Sequence, residues 1–359
     1  MPPEKPANRL SGLDAIRGVA VALVVLEHGP SLGIPLQRFL DDQIDLGRIG
    51  VIAFFLVSGF VITMSLERTR SLAEFWYHRA FRLLPMYWCS LLAATGLLCC
   101  LPQIAHGVPY FNRLPGTMIA NALMLEDFLR KPEALGSYWT LSFELVFYVI
   151  ASLLAHFRRL RDLDALLLGC SGVYLLNACG LFSFHAVTFF HLPFFFGTFF
   201  VGASFYRAWN GEQPYRRFLA LIAVFCATSV LAWYRSSFVD HLSTTSMNVP
   251  PLPYIVGSAL GYATFFGIWA LRDRGQFKGL IWLGQISYSV YLVHGIMLVP
   301  AGLIPDWSIW FLLLVVTPAV SWLSFRYIEK PAYQFSKRSR SGATHSSTSP
   351  APSQSPLRG

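Results

Sequence analysis

Leu13-Asp14-Ala15-Ile16-Arg17-Gly18-Val19-Ala20-Val21-Ala22-Leu23-Val24-Val25-Leu26-Glu27-His28 is an apolar run that admits charge only near its two ends. Lys5 and Arg9 precede it, as the basic region of a signal peptide would. However, Glu27-His28-Gly29-Pro30 follows with no small-x-small cleavage site, so the run reads as a retained membrane helix. Arg17 and His28 are 11 residues apart. At about 100° and 1.5 Å per residue that is three turns plus roughly 20°, with a rise of about 16 Å, so both point the same way at different depths. Two readings are open. Arg17 snorkels to one headgroup layer while His28 sits at the other, or the two line one internal cavity.

The rest of the chain repeats the pattern. The 359 residues are 54% hydrophobic and 13% charged, with a mean hydropathy of +0.49, against about a quarter charged in soluble domains. Apolar runs fall near 13–28, 47–66, 81–101, 138–156, 164–181, 187–206, 218–235, 252–271, 281–300 and 308–327, each about the length that crosses ~30 Å of hydrocarbon. The expected fold is an all-α polytopic bundle of about ten transmembrane helices. The connections on one side carry 21 of the 28 Lys and Arg residues and those on the other carry 6, which places both termini in the cytoplasm. Residues 1–338 form one transmembrane domain, and 339–359, rich in Ser, Thr, Pro and Arg, form a disordered cytoplasmic tail. The net charge of +9 follows this loop asymmetry, and no basic stripe with interleaved aromatics points to nucleic acid. The connection 102–137 carries an apolar patch, 118–125, too short to span. The six cysteines lie in apolar runs without metal-ligand spacing and read as small core residues.

Ionisable residues at bilayer depth need a partner, a wet cavity or a function. Glu144 lies about two turns into the fourth run, at a depth similar to His28, where an imidazole would offset part of its cost; pairing with a Tyr or Arg for packing alone is the other reading. Ser287, Tyr291 and His294 share a helix face at i, i+4 and i+7, with Tyr288 beside them. Arg79 and Arg82 share a face near the membrane surface, suited to anionic lipid or to the phosphates of a nucleotide-bearing donor. Ser58-Gly59 is a small pair at mid-membrane, suited to close helix packing or to the passage of a thioester.

In order along the chain, Leu13-Asp14-Ala15-Ile16-Arg17-Gly18 with His28, Phe54 to Phe60, Arg79-x-x-Arg82-x-x-Pro85-x-Tyr87, Trp139-x-Leu141-x-x-Glu144-x-x-Phe147-Tyr148, Leu283-Gly284-x-Ile286-Ser287-Tyr288-x-x-Tyr291-x-x-His294 and Arg326-Tyr327-Ile328-Glu329-Lys330-Pro331 resemble the acyltransferase type 3 family of integral membrane acyltransferases. The resemblance runs from Leu10 to about Pro331. It implies O-acylation, commonly O-acetylation, of an extracytoplasmic glycan, lipid-linked sugar or glycosylated small molecule at the bacterial inner membrane. Acyl-CoA is the implied donor substrate, with no permanently bound cofactor and no metal. His28 and Glu144 are then the catalytic candidates. Arg17, Arg79, Arg82, Ser58 and Gly59 are the donor-binding candidates, and Trp139, Tyr288, Tyr291 and His294 the acceptor-binding ones. With no relay domain following the tenth run, direct transfer to the acceptor is expected. The competing reading is a secondary transporter or flippase that uses the same buried charges as a substrate path.

Overall fold

The computed structural model describes residues 10–30, 43–101, 115–184, 187–238, 251–274 and 277–345. Among them the chain is helical, with no named strand. The helices are α1 (Ser11–Glu27), α2 (Leu46–Arg68), α3 (Leu72–Cys100), α4 (Gly116–Ala122), α5 (Trp139–His156), α6 (Leu163–Ala178), α7 (Val187–Trp209), α8 (Tyr215–Phe238), α9 (Pro251–Leu271), α10 (Lys278–Gln285) and α11 (Ser287–Leu298). A last helix begins at α12 (Asp306–Phe311) and continues through α13 (Thr317–Ser324) and α14 (Lys330–His345), with π-helical segments at Leu312–Val316 and Phe325–Glu329. A helix thus occupies each of the ten apolar runs. Six have the length and apolarity to cross a membrane: α2, α3, α5, α8, α9 and Asp306–Arg338. The α10–α11 pair has the same length and apolarity when taken together but is bent by 71° at Ile286, as a broken span or a re-entrant loop is. α14 continues through 339–345, residues that composition assigned to the tail.

Local chemistry sets the helix ends. Asp45 accepts from Arg48 N at 2.7 Å to cap α2. Ser71 accepts from Glu74 N at 3.2 Å in a Ser-x-x-Glu start to α3. Glu27 Oε2 accepts from Leu46 N at 3.0 Å and Gly47 N at 3.3 Å, tying the end of α1 to the start of α2.

α2 is the hub, packing on α1, α7 and α9. Its crossing with α7 is reciprocal and side-chain-free: a Cβ on Gly59 would run into the Phe199 carbonyl, and one on Gly202 into the Leu56 carbonyl. Small residues that bring backbones together drive association where apolar burial against lipid gives nothing. α1 meets α10 in the same way, Gly284 lying on the Asp14 carbonyl. The aromatic core fills around these crossings, with Phe55 and Phe147 each stacked on Phe199 at 4.2 and 4.6 Å between centroids.

The connection after α4 is pinned by Asn121, whose side chain donates to the Thr117 and Pro132 carbonyls and accepts from Ala134 N, all at 2.8–2.9 Å. Tyr87 donates to the Asn121 carbonyl at 2.6 Å. Residues 102–114, the first part of the expected connection, lie outside the described residues.

The cysteines correct the sequence reading. Cys89, Cys99, Cys100 and Cys179 are exposed and Cys170 and Cys226 half-buried. A thiol is apolar enough to rest on a lipid-facing surface, so occurrence in an apolar run does not imply a core position.

Candidate active site

α1, α2, α5 and α11 enclose a cavity of about 60 Å³, room for about four waters at ~15 Å³ each. Its polar wall is Arg17, Ser58, Thr140, Glu144, Tyr288 and Tyr291, and Phe54 and Phe55 close the apolar side. Glu144 Oε1 accepts two hydrogen bonds, from Ser58 Oγ and from Tyr148 Oη, both at 2.6 Å. The Glu144 carboxylate also lies within electrostatic reach of Arg17 and Arg79, and both of these feel Arg82. Arg79 is buried, with its guanidinium 5.6 Å from the Tyr148 ring centre. The arginines of the first and third helices therefore form one cationic group with Glu144 as its counter-charge. Arg79 sits deeper than a surface clamp would.

At the other end Tyr291 Oη donates to the Ser137 carbonyl at 2.8 Å and accepts from Thr140 Oγ1 at 2.6 Å. Tyr288 Oη donates to the Leu83 carbonyl at 2.9 Å. Beyond Tyr291 stands His294, fully buried, its ring nitrogens interacting only with the Val290 and Tyr291 backbone and with no close side-chain hydrogen bond. Its ring centre is 5.5 Å from Tyr291 and 5.2 Å from His28, and it meets the His28 ring at 69°. His28 is the C-cap residue of α1, exposed, with Nδ1 at 2.8 Å from the Val24 carbonyl. A carbonyl only accepts, so Nδ1 carries the hydrogen and Nε2 is left as the basic nitrogen.

Most of the candidates from sequence come together, but in two groups. Arg17, Ser58, Tyr288, Tyr291 and Glu144 share the cavity wall, with Arg79 and Arg82 behind it. His28 pairs with His294, and no hydrogen bond joins His28 to Glu144. Gly59 faces α7, and Trp139 packs behind the wall against Phe55 and Phe195 at 6.5 and 5.2 Å.

Sequence reasoning missed three contributors. Tyr148 has an audible signal, its i+4 spacing from Glu144 on one helix. Thr140 has none beyond its place two residues after a bend. The third is the break at Ile286, which starts α11 at Ser287 on the cavity wall.

In the connection between α4 and α5, Glu126 is fully buried, with only weak contacts from Ser142 and its own backbone, and Glu133 is partly buried beside it. Both carboxyls are pushed up to about 7, Glu126 by burial and then by Glu133, Glu133 by burial and then by Asp127.

Long apolar helices packed around a cavity with a charged wall are those of an integral membrane protein. Residues 10–326 match the acyltransferase domain family, and the chain belongs to that family, the type 3 acyltransferases. It is similar to Nodulation protein 10 of Rhizobium leguminosarum bv. viciae, 24% identical over 92% of this chain and 95% of that protein. It is also similar to the peptidoglycan O-acetyltransferase OatA of Listeria monocytogenes, 24% identical over 89% of this chain but only 55% of that longer protein. The O-acetyl transferase of Shigella phage Sf6 is 27% identical over 60% of this chain and 69% of its own length. No solved structure matches.

Proposed function

We propose that the protein moves an acyl group, acetyl being the simplest, from acyl-CoA to a hydroxyl of an extracytoplasmic glycan, lipid-linked sugar or glycosylated small molecule. The relatives named as O-acetyltransferases support the acyl group and the oxygen acceptor. The observation that carries the reading is the exposed His28 imidazole, its Nδ1 held by the Val24 carbonyl, packed on His294, which in turn packs on Tyr291 of the cavity wall that Arg17 shares.

In this scheme Arg17, Arg79 and Arg82 hold the donor's phosphates, for which guanidinium forks are suited. Glu144 keeps the three cations together through Ser58 and Tyr148. The thioester reaches along the cavity toward Tyr291. His28 Nε2 takes the proton of the acceptor hydroxyl as its oxygen bonds to the thioester carbonyl carbon. The carbon–sulfur bond then breaks, and the thiolate leaves with the proton returned by the imidazolium, giving an ester and free thiol. His294, packed edge-on against His28 and next to Tyr291, orients the base.

The test is purified full-length protein in lipid nanodiscs given radiolabelled acetyl-CoA and a cell-surface glycan fraction. Label passing to the glycan with stoichiometric thiol release supports the reading. Gradient-dependent movement of a glycan across sealed vesicles without thiol release would replace it with transport.

A further inference from the structure

At the end of the bundle where α1 finishes and α2 begins, a second polar cluster lies outside the cavity. Arg48 donates through Nε to Asp45 Oδ2 at 3.0 Å and lies 3.8 Å over the Tyr254 ring, yet its Nη1 has no acceptor. Tyr254 Oη and Ser258 Oγ, one turn apart on α9, have no hydrogen-bond partners either. His191 of α7 faces the same tyrosine, with ring centres 5.2 Å apart. All four side chains are at least nine-tenths buried: Arg48, His191 and Ser258 are 8% exposed and Tyr254 is 7%. Leaving a buried donor or acceptor unpaired costs about 1–3 kcal/mol, and three such groups at the meeting of α2 and α9, faced by α7, call for a ligand. α9 is pressed onto α2 there, a Cβ on Gly257 coming within 2.9 Å of the Asp45 carbonyl.

The position relative to the cavity is set by helix geometry. Arg48, Val51, Phe55 and Ser58 recur at i, i+3, i+7 and i+10 on one face of α2, and the last three line the cavity. Arg48 extends that stripe by one turn. Phe195 bridges the two regions, 5.6 Å from both Phe55 and His191.

The chemistry narrows the ligand. Asp45 already offsets the charge of Arg48, so the cluster has no excess cation to attract an anion. What it offers is a guanidinium N–H edge and two hydroxyls that each donate or accept, which complements neutral groups that do both. We infer that Arg48, Tyr254, Ser258 and His191 form a saccharide subsite that holds a sugar ring of the acceptor one turn from the donor cavity. The word acceptor rests on the acyl-transfer reading; the sugar contact does not.

The experiment is saturation-transfer NMR on the full chain in nanodiscs, titrated with N-acetylglucosamine and, separately, inorganic phosphate. Tyr254→Phe and Ser258→Ala each delete one oxygen and keep the shape, whereas Arg48→Gln strands Asp45 and serves only as a supplement. The expected result is sugar contact with the parent protein and weakening by about fivefold in each single variant, the equivalent of roughly 1 kcal/mol per hydrogen bond. No contact in the parent, equal contact in both variants, or displacement of the sugar by phosphate overturns the subsite. Thiol release from acetyl-CoA, measured on the same samples, separates the two ideas. Variant-sensitive sugar binding with no thiol release removes the acyl-transfer reading and leaves the subsite, and thiol release without sugar contact does the reverse.

Discussion

Ser58 Oγ donates to Glu144 Oε1 at 2.6 Å, joining the centre of α2 to α5 at the floor of the polar cavity. This bond and the one from Tyr148 make Glu144 an anion fixed among arginines. Ser58→Ala is expected to cost about 1.5 kcal/mol, the low end for a bond to a charged group because Tyr148 remains. Glu144→Gln leaves Arg17 and Arg79 without their counter-charge and is expected to cost more, about 3–5 kcal/mol. Thermal inactivation midpoints of the two variants in one detergent should fall in that order.

Gly59 and Gly202 carry a second expectation. Each accepts a neighbouring carbonyl where a Cβ would stand, so Gly59→Ala and Gly202→Ala should both destabilise by about 1–3 kcal/mol. If Gly59 serves packing, the folded fraction of Gly59→Ala retains the parent's half-saturating acetyl-CoA concentration. A rise in that concentration for Gly59→Ala alone would return the residue to donor binding.

Glu126 and Glu133 give the connection between α4 and α5 a pH dependence. Both carboxyls are raised to about 7 from a usual 4.5, so the folded state favours their neutral forms. Their contribution is complete below pH about 4.5 and is lost as pH rises through about 7. Hydrogen exchange of residues 123–138, corrected for intrinsic rate, should quicken across that window. Glu126→Gln, neutral at every pH, should flatten the response.

His294 separates packing from chemistry. Its ring is fully buried and interacts only weakly with the Val290 and Tyr291 backbone, so His294→Phe keeps the packing and gives up little polar stabilisation. Stability should stay within about 1 kcal/mol of the parent, while acyl transfer should fall by about 10²-fold or more if the ring orients His28. Parent-like turnover in a stable His294→Phe protein would assign this histidine to packing alone.

The sequence made the membrane fold legible because burial length and loop charge are written in composition, and it made the arginine, glutamate and histidine candidates legible because such groups are costly in hydrocarbon. It did not show who meets whom. Glu144 and Ser58 are 86 positions apart, and either a histidine or an arginine would have offset the same carboxylate. The bend at Ile286 was hidden because Leu280 to Leu298 carries no proline and its polar residues, Gln285, Ser287, Ser289 and His294 among them, are ones a straight helix also tolerates. Gly284, which lets α10 lie on the α1 backbone, reads in sequence like any glycine in a span. Tyr254 and Ser258 carried no signal, since a tyrosine and a serine one turn apart are ordinary in an apolar helix.

The claim on which the account turns is that His28 removes the acceptor proton. His28→Ala in the purified full chain, followed by thiol release from acetyl-CoA in the presence of the glycan fraction, tests it directly. The account predicts a fall of about 10²–10⁴-fold, partly restored by added imidazole. Turnover within about a factor of two of the parent, with no response to imidazole, would contradict it.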